Sequence, residues 1–213
     1  SASMASRIAG MLSIYRSGLF WRVAPLAALS QGGFLAIQTL WAGPWLRDIA
    51  GLDSRAVSFT LLAGAGGFVI GNIVFGLIAE RLMRRNIPPL ATAAGGMALF
   101  ILVQLFVLFE WTAAPAALWF VFGATGTTGV VIFAVLARMF PPELAGRAST
   151  AQNLLIFGAA FALQWGMGEV INIWPVGADG AYAVAGYRAA IGLILALQVL
   201  AFAWMLVYRP RQR

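Results

Sequence analysis

Any chemistry in this chain has to come from amides, aromatic rings and a few carboxylates, because its 213 residues include neither histidine nor cysteine. A Ser-His-Asp triad, a thiolate nucleophile, a disulfide framework and a histidine-ligated metal are therefore all excluded. No two carboxylates stand close together within one apolar stretch, as metal-assisted chemistry would ask. What remains is a set of neutral polar and aromatic side chains at helical spacing. Gln31, Phe34, Gln38, Trp41 and Trp45 share one face of a helix, and Asn153, Phe157, Gln164 and Gly168 share one face of another. Amides are costly in hydrocarbon, so both stripes should face a cavity or a neighbouring helix. Simple pairing between helices would make each worth on the order of 0.6 kcal/mol; for the Gln38 and Gln164 stripes the cavity is the expectation.

The elements that would carry these residues are membrane spans. With 62% hydrophobic and only 10% charged residues, the chain has too little polar surface to solubilise a globule of its size. Six stretches of roughly 20 to 27 residues, the length that spans hydrocarbon, carry no formal charge: 23–46, 56–79, 86–109, 111–137, 148–168 and 189–208. None alternates with period two, so helices and not a barrel satisfy the backbone in lipid. The expected fold class is all-α, a polytopic membrane protein with six transmembrane helices in a bundle. Residues 1–22 read as a cytoplasmic linker holding an interfacial helix, with Ile8, Met11, Leu12, Tyr15 and Leu19 on one stripe and Arg7 and Arg16 off it. The bundle would then occupy 23–208 and a tail 209–213.

All fourteen basic residues are arginine, and eleven of them lie before the first stretch, after the second, after the fourth or after the sixth. The positive-inside rule puts those regions, and both termini, in the cytoplasm. Trp21, Trp41, Trp45, Trp111, Trp174, Tyr187, Trp204 and Tyr208 stand near stretch ends, as interfacial aromatics do. This topological use of positive charge explains the net +7 without nucleic acid. Gly67-x-x-x-Gly71, with Gly64 and Gly76, and Gly123, Gly126 and Gly129 should let helix backbones approach closely. Gly43-Pro44 should break the outer end of the first span.

Two loops carry a family likeness. Gly76-Leu77-Ile78-Ala79-Glu80-Arg81-Leu82-Met83-Arg84-Arg85 resembles the cytoplasmic loop motif of the major facilitator superfamily, with Glu80 in place of aspartate and Met83 in place of the second glycine. Arg138-Met139-Phe140-Pro141-Pro142-Glu143-Leu144-Ala145-Gly146-Arg147 is similar to that family's loop between its tenth and eleventh helices. The resemblance implies that the chain is the carboxy-terminal six-helix half of a twelve-helix transporter, lacking its amino-terminal six-helix partner half. It implies an integral protein of a bacterial inner membrane that moves a small-molecule substrate by alternating access, without a cofactor and without enzymatic activity.

In that family the helices corresponding to the first, second, fourth and fifth spans line the path. Gln31, Gln38, Trp41, Asn72, Thr127, Asn153, Gln164 and Trp165 are thereby candidate substrate contacts. Gly76, Glu80, Arg81, Arg84, Arg85, Arg138, Glu143 and Arg147 would form a charge network that holds the cytoplasmic face closed. No charged side chain lies near the middle of a span; only Glu169, close to the outer end of the fifth, is a marginal coupling group. A membrane-embedded enzyme and a channel or structural subunit are the competing readings. The missing histidine weighs against the former, and the missing Asn-Pro-Ala and carbonyl-filter signatures weigh against the latter.

Overall fold

A computed structural model describes residues 4–208, with side chains from Gly10 onward. The expected tail 209–213, and the side chains of Arg7 and Ile8, lie outside the described residues. Among the described residues the chain is all-α, and six helices are long and apolar enough to cross a membrane. The first to sixth spans run Gly18–Asp48, Ser54–Arg84, Pro89–Leu108, Pro115–Met139, Pro142–Ile171 and Val184–Val207. The first, second and fifth run past the charges that end the apolar stretches, since Arg and Glu are good helix formers and long charged side chains reach the headgroup region. Residues 18–22, expected in the linker, therefore belong to the first span. Asp53 caps the second span by accepting from the Ala56 N–H at 2.8 Å. The third, fourth and fifth begin with proline, whose missing N–H has no partner to lose there.

Small residues decide which spans touch. A Cβ on Gly67 would lie 2.0 Å from the Phe120 carbonyl oxygen, one on Gly71 2.4 Å from that of Ala124, and one on Gly123 2.0 Å from that of Gly64. The second and fourth spans thus cross backbone on backbone, as the glycine spacing predicts. Gly76 departs from that expectation: a Cβ there would meet nothing within 4 Å. Past Gly71 the two spans diverge, and Gly76 faces the gap. The first and fifth spans form the other close pair, with Gly32 against Ala159 and Ala160.

These two interfaces are related. Exchanging spans one, two and three for four, five and six converts the second–fourth interface into the fifth–first one. The same exchange turns the third–fourth interface into the sixth–first one and returns the third–sixth interface to itself. Burial follows the pairing. In the most apolar part of each span, 67% and 56% of residues are buried in the first and fourth, 33% and 39% in the third and sixth, and 17% and 22% in the second and fifth. The correspondence is partial, since the fifth and sixth spans touch far more extensively than their counterparts, the second and third. Because three crossings reverse the chain direction, it is of the inverted kind. Gln104 stands 15 residues after Pro89 and Gln198 14 after Val184; both are fully buried and bond to each other at 2.7 and 3.3 Å.

The opening span of each repeat is broken. In the fourth, Thr127–Val130 tightens into a 3-10 turn; in the first, Ile37–Trp41 widens into a π turn. Pro44 does not end the first span, which continues as Ala42–Asp48. Its ring opposes the carbonyl of Leu40, four residues back, and the wide turn absorbs that conflict. Pro25 poses the same problem to Trp21, whose carbonyl instead accepts the Trp204 Nε1–H at 2.8 Å. The leading helix, Met4–Tyr15, packs on the fifth span: Ile14 is buried and the Tyr15 hydroxyl donates to the Ala151 carbonyl at 3.2 Å. Ile14 lies off the expected stripe, whereas Leu12 and Leu19 on it are exposed.

Candidate functional site

The π turn, Ile37–Trp41, carries Gln38, Thr39 and Trp41 within the first span. One extra residue in a turn rotates everything after it by about 100°. The stripe expected from regular helix spacing therefore splits. Gln31 turns to the fourth span and donates to the Gly126 carbonyl at 2.7 Å. Phe34 stacks on Phe68 and Phe122, and Trp45 meets Trp119 edge-on. These three pack against the fourth span, whose glycines at 123, 126 and 129 let it approach closely. The Gln38 amide lies against Gly64, where a Cβ would sit 2.8 Å from Nε2, and its Oε1 is buried without a hydrogen-bond partner.

The same rotation brings Thr39 toward the fifth span, a position that regular spacing does not mark. Gln164 is held there at both ends: its Nε2 donates to Thr39 Oγ1 at 2.7 Å, and its backbone carbonyl accepts the Trp41 Nε1–H at 3.1 Å. Trp41 is buried between Gly168 and the rings of Tyr182 and Tyr187. Beside this seam the Trp165 ring is 66% exposed and Leu40 is exposed. The seam thus carries the Gln164 amide, a Thr39 hydroxyl that itself donates to the Leu35 carbonyl at 2.7 Å, and the open Trp165 ring, with no formal charge. The unpaired Gln38 acceptor is enclosed on the side of the second span. Hydrogen bonding and stacking are the interactions such side chains offer.

The remaining candidates are dispersed. Asn72 bonds to the Phe68 carbonyl of its own helix at 2.8 Å, and Thr127 to that of Ala124 at 2.7 Å; both line a cavity on the arginine-rich side of the bundle. Asn153 is exposed on the fifth span. The expected charge network is not assembled. Glu80 pairs with Arg84, one turn away on the same helix, at 2.7 Å, and among the described residues no ion pair joins the two arginine loops. An i,i+4 partner satisfies Glu80 locally, while Arg147 is occupied by the leading helix, where a Cβ on Gly10 would overlap its guanidinium. Arg81, Arg85, Arg138 and Glu143 are exposed.

At the opposite end sits a cluster that no spacing rule marks. The Asp48 side chain is fully enclosed and accepts from Tyr187 Oη at 2.8 Å, Arg47 Nε at 2.8 Å and the Tyr182 N–H at 3.2 Å. It ties the end of the first span to the start of the sixth. Arg188 and Glu110 join the sixth to the third on that same side at 2.5 Å. No protein-family model matches the chain, and no curated protein matches it.

Proposed function

We propose that this chain is one six-helix half of a secondary transporter of the major facilitator type, moving a small neutral solute by rocking against a second six-helix half. The observation that supports the reading is the repeat: burial and the main interfaces pair between the two sets of three spans, and each set opens on a broken helix, the first of them beside the polar seam. Inverted repeats with broken helices at a midplane site are the architecture of alternating access. The apolar surfaces of the second and fifth spans, the least buried of the six, supply the face for the other half. Gln38, Thr39, Gln164 and Trp165 would contact solute, and any coupling carboxylate would reside in the other half.

Uptake by the complete transporter tests this. Gln38→Ala or Gln164→Ala should weaken apparent affinity about fivefold each, the worth of roughly one hydrogen bond, with expression unchanged. Glu169→Gln should leave pH-dependent uptake nearly intact, since Glu169 is exposed near the span end. Coupling lost at Glu169 with both glutamines silent would overturn the assignment.

A further inference from the structure

Below the Gly71–Ala124 crossing, the divergence of the second and fourth spans leaves a cavity of about 200 Å³ closed on its third side by the start of the third span. It runs from Asn72 and Thr127 at depth to Met83, Pro89 and Ala134 near the membrane face, about 16 Å along the second span at 1.5 Å per residue. Its lining is overwhelmingly apolar, and the Thr92 hydroxyl in its wall is buried without a hydrogen-bond partner. The seam of the proposed solute site uses none of this space. Two cations flank the shallow end. Arg138 follows Ala134 by one turn on the same helix face, and Arg85 lies in the turn that joins Met83 to Pro89. Both are exposed, and neither enters an ion pair among the described residues.

An elongated apolar slot parallel to the helices, with arginines where its mouth meets the headgroup layer, is complementary to one ligand class. We infer that the slot holds an acyl chain of an anionic phospholipid whose phosphate is bound by Arg138 and Arg85. Basic pockets between spans select anionic headgroups electrostatically, and the slot adds apolar burial for the chain. The inference stands apart from the transport reading, since a lipid could bind here whatever the bundle carries.

Native mass spectrometry of the purified chain, titrated with phosphatidylglycerol or phosphatidylcholine in mixed micelles, tests it, with thermal unfolding as the fold control. One phosphatidylglycerol should be retained in preference to phosphatidylcholine. Arg138→Gln and Arg85→Gln should each cut that preference about fivefold. Ala134→Phe, which fills the slot from an exposed position, should abolish retention of both lipids while the unfolding temperature holds. Equal retention of the two lipids by the unaltered chain, or undiminished retention by Ala134→Phe, would overturn the inference.

Discussion

Gln104 and Gln198 show how a polar residue can be tolerated at the centre of a bundle. Each is fully buried, and each amide finds the other, with a further bond from Gln198 Nε2 to the Leu29 carbonyl at 3.4 Å. Gln104→Leu alone leaves Gln198 Oε1 without its donor in an apolar core, so it should cost about 1–2 kcal/mol. Gln104→Leu with Gln198→Leu should recover much of that loss. Denaturant titration of the four proteins in detergent closes the cycle; additive single losses would show that the pair is not coupled. Asp48 presents the charged version of the same problem. Tyr187→Phe removes a hydrogen bond to an enclosed carboxylate and should cost about 1.5–3 kcal/mol, read in the same titration. The amides at Gln31, Gln38 and Gln164 are visible in the sequence as a helical stripe. The partners that satisfy or strand them are not, because those come from spans about 30 to 130 residues away.

At the scale of the element, the glycines separate by what faces them. Gly67→Ala places a methyl against a backbone carbonyl that cannot swing aside, and should destabilise the bundle by about 1–3 kcal/mol. Gly76→Ala, facing empty space in the same helix, should be neutral or gain up to about 1 kcal/mol from helix propensity. Equal effects at the two positions would deny the close crossing of the second and fourth spans. The sequence spacing treats Gly64, Gly67, Gly71 and Gly76 alike. What distinguishes them is the angle at which the two helices cross and then part. The π turn is a similar case: Gly43-Pro44 signals a disturbance, but a proline can end, kink or widen a helix. Packing of Trp41 on Gly168 and of Trp45 on Trp119 holds the chain helical on both sides of the disturbance.

For the whole molecule, the cysteine-free sequence gives a direct assay of orientation. A single cysteine replacing Arg84 should resist an impermeant maleimide in intact cells, and one replacing Asp179 should react; external labelling at position 84 would invert the assigned topology. The inverted repeat adds a second expectation. The first–fifth and second–fourth interfaces are counterparts, so Gly32→Leu should weaken the bundle as severely as Gly67→Leu does, measured again by unfolding.

Composition and the apolar stretches are enough to predict six helices long and apolar enough to cross a bilayer, because hydrocarbon admits backbone only in a few closed forms. The arginine asymmetry adds an expected orientation, since charge placement is local to each loop. Those signals need no partner to be read. Tertiary packing alone decides that the first and fourth spans sit inside while the second and fifth lie outside, that Gln31 is an internal bond and Gln38 an unused acceptor, and that Glu80 closes on its own helix. Lipid and protein interior are nearly equally apolar, so hydropathy carries no record of which face meets which. The choice falls to small residues, where backbones can approach, and to the few polar groups that must find one another across the bundle.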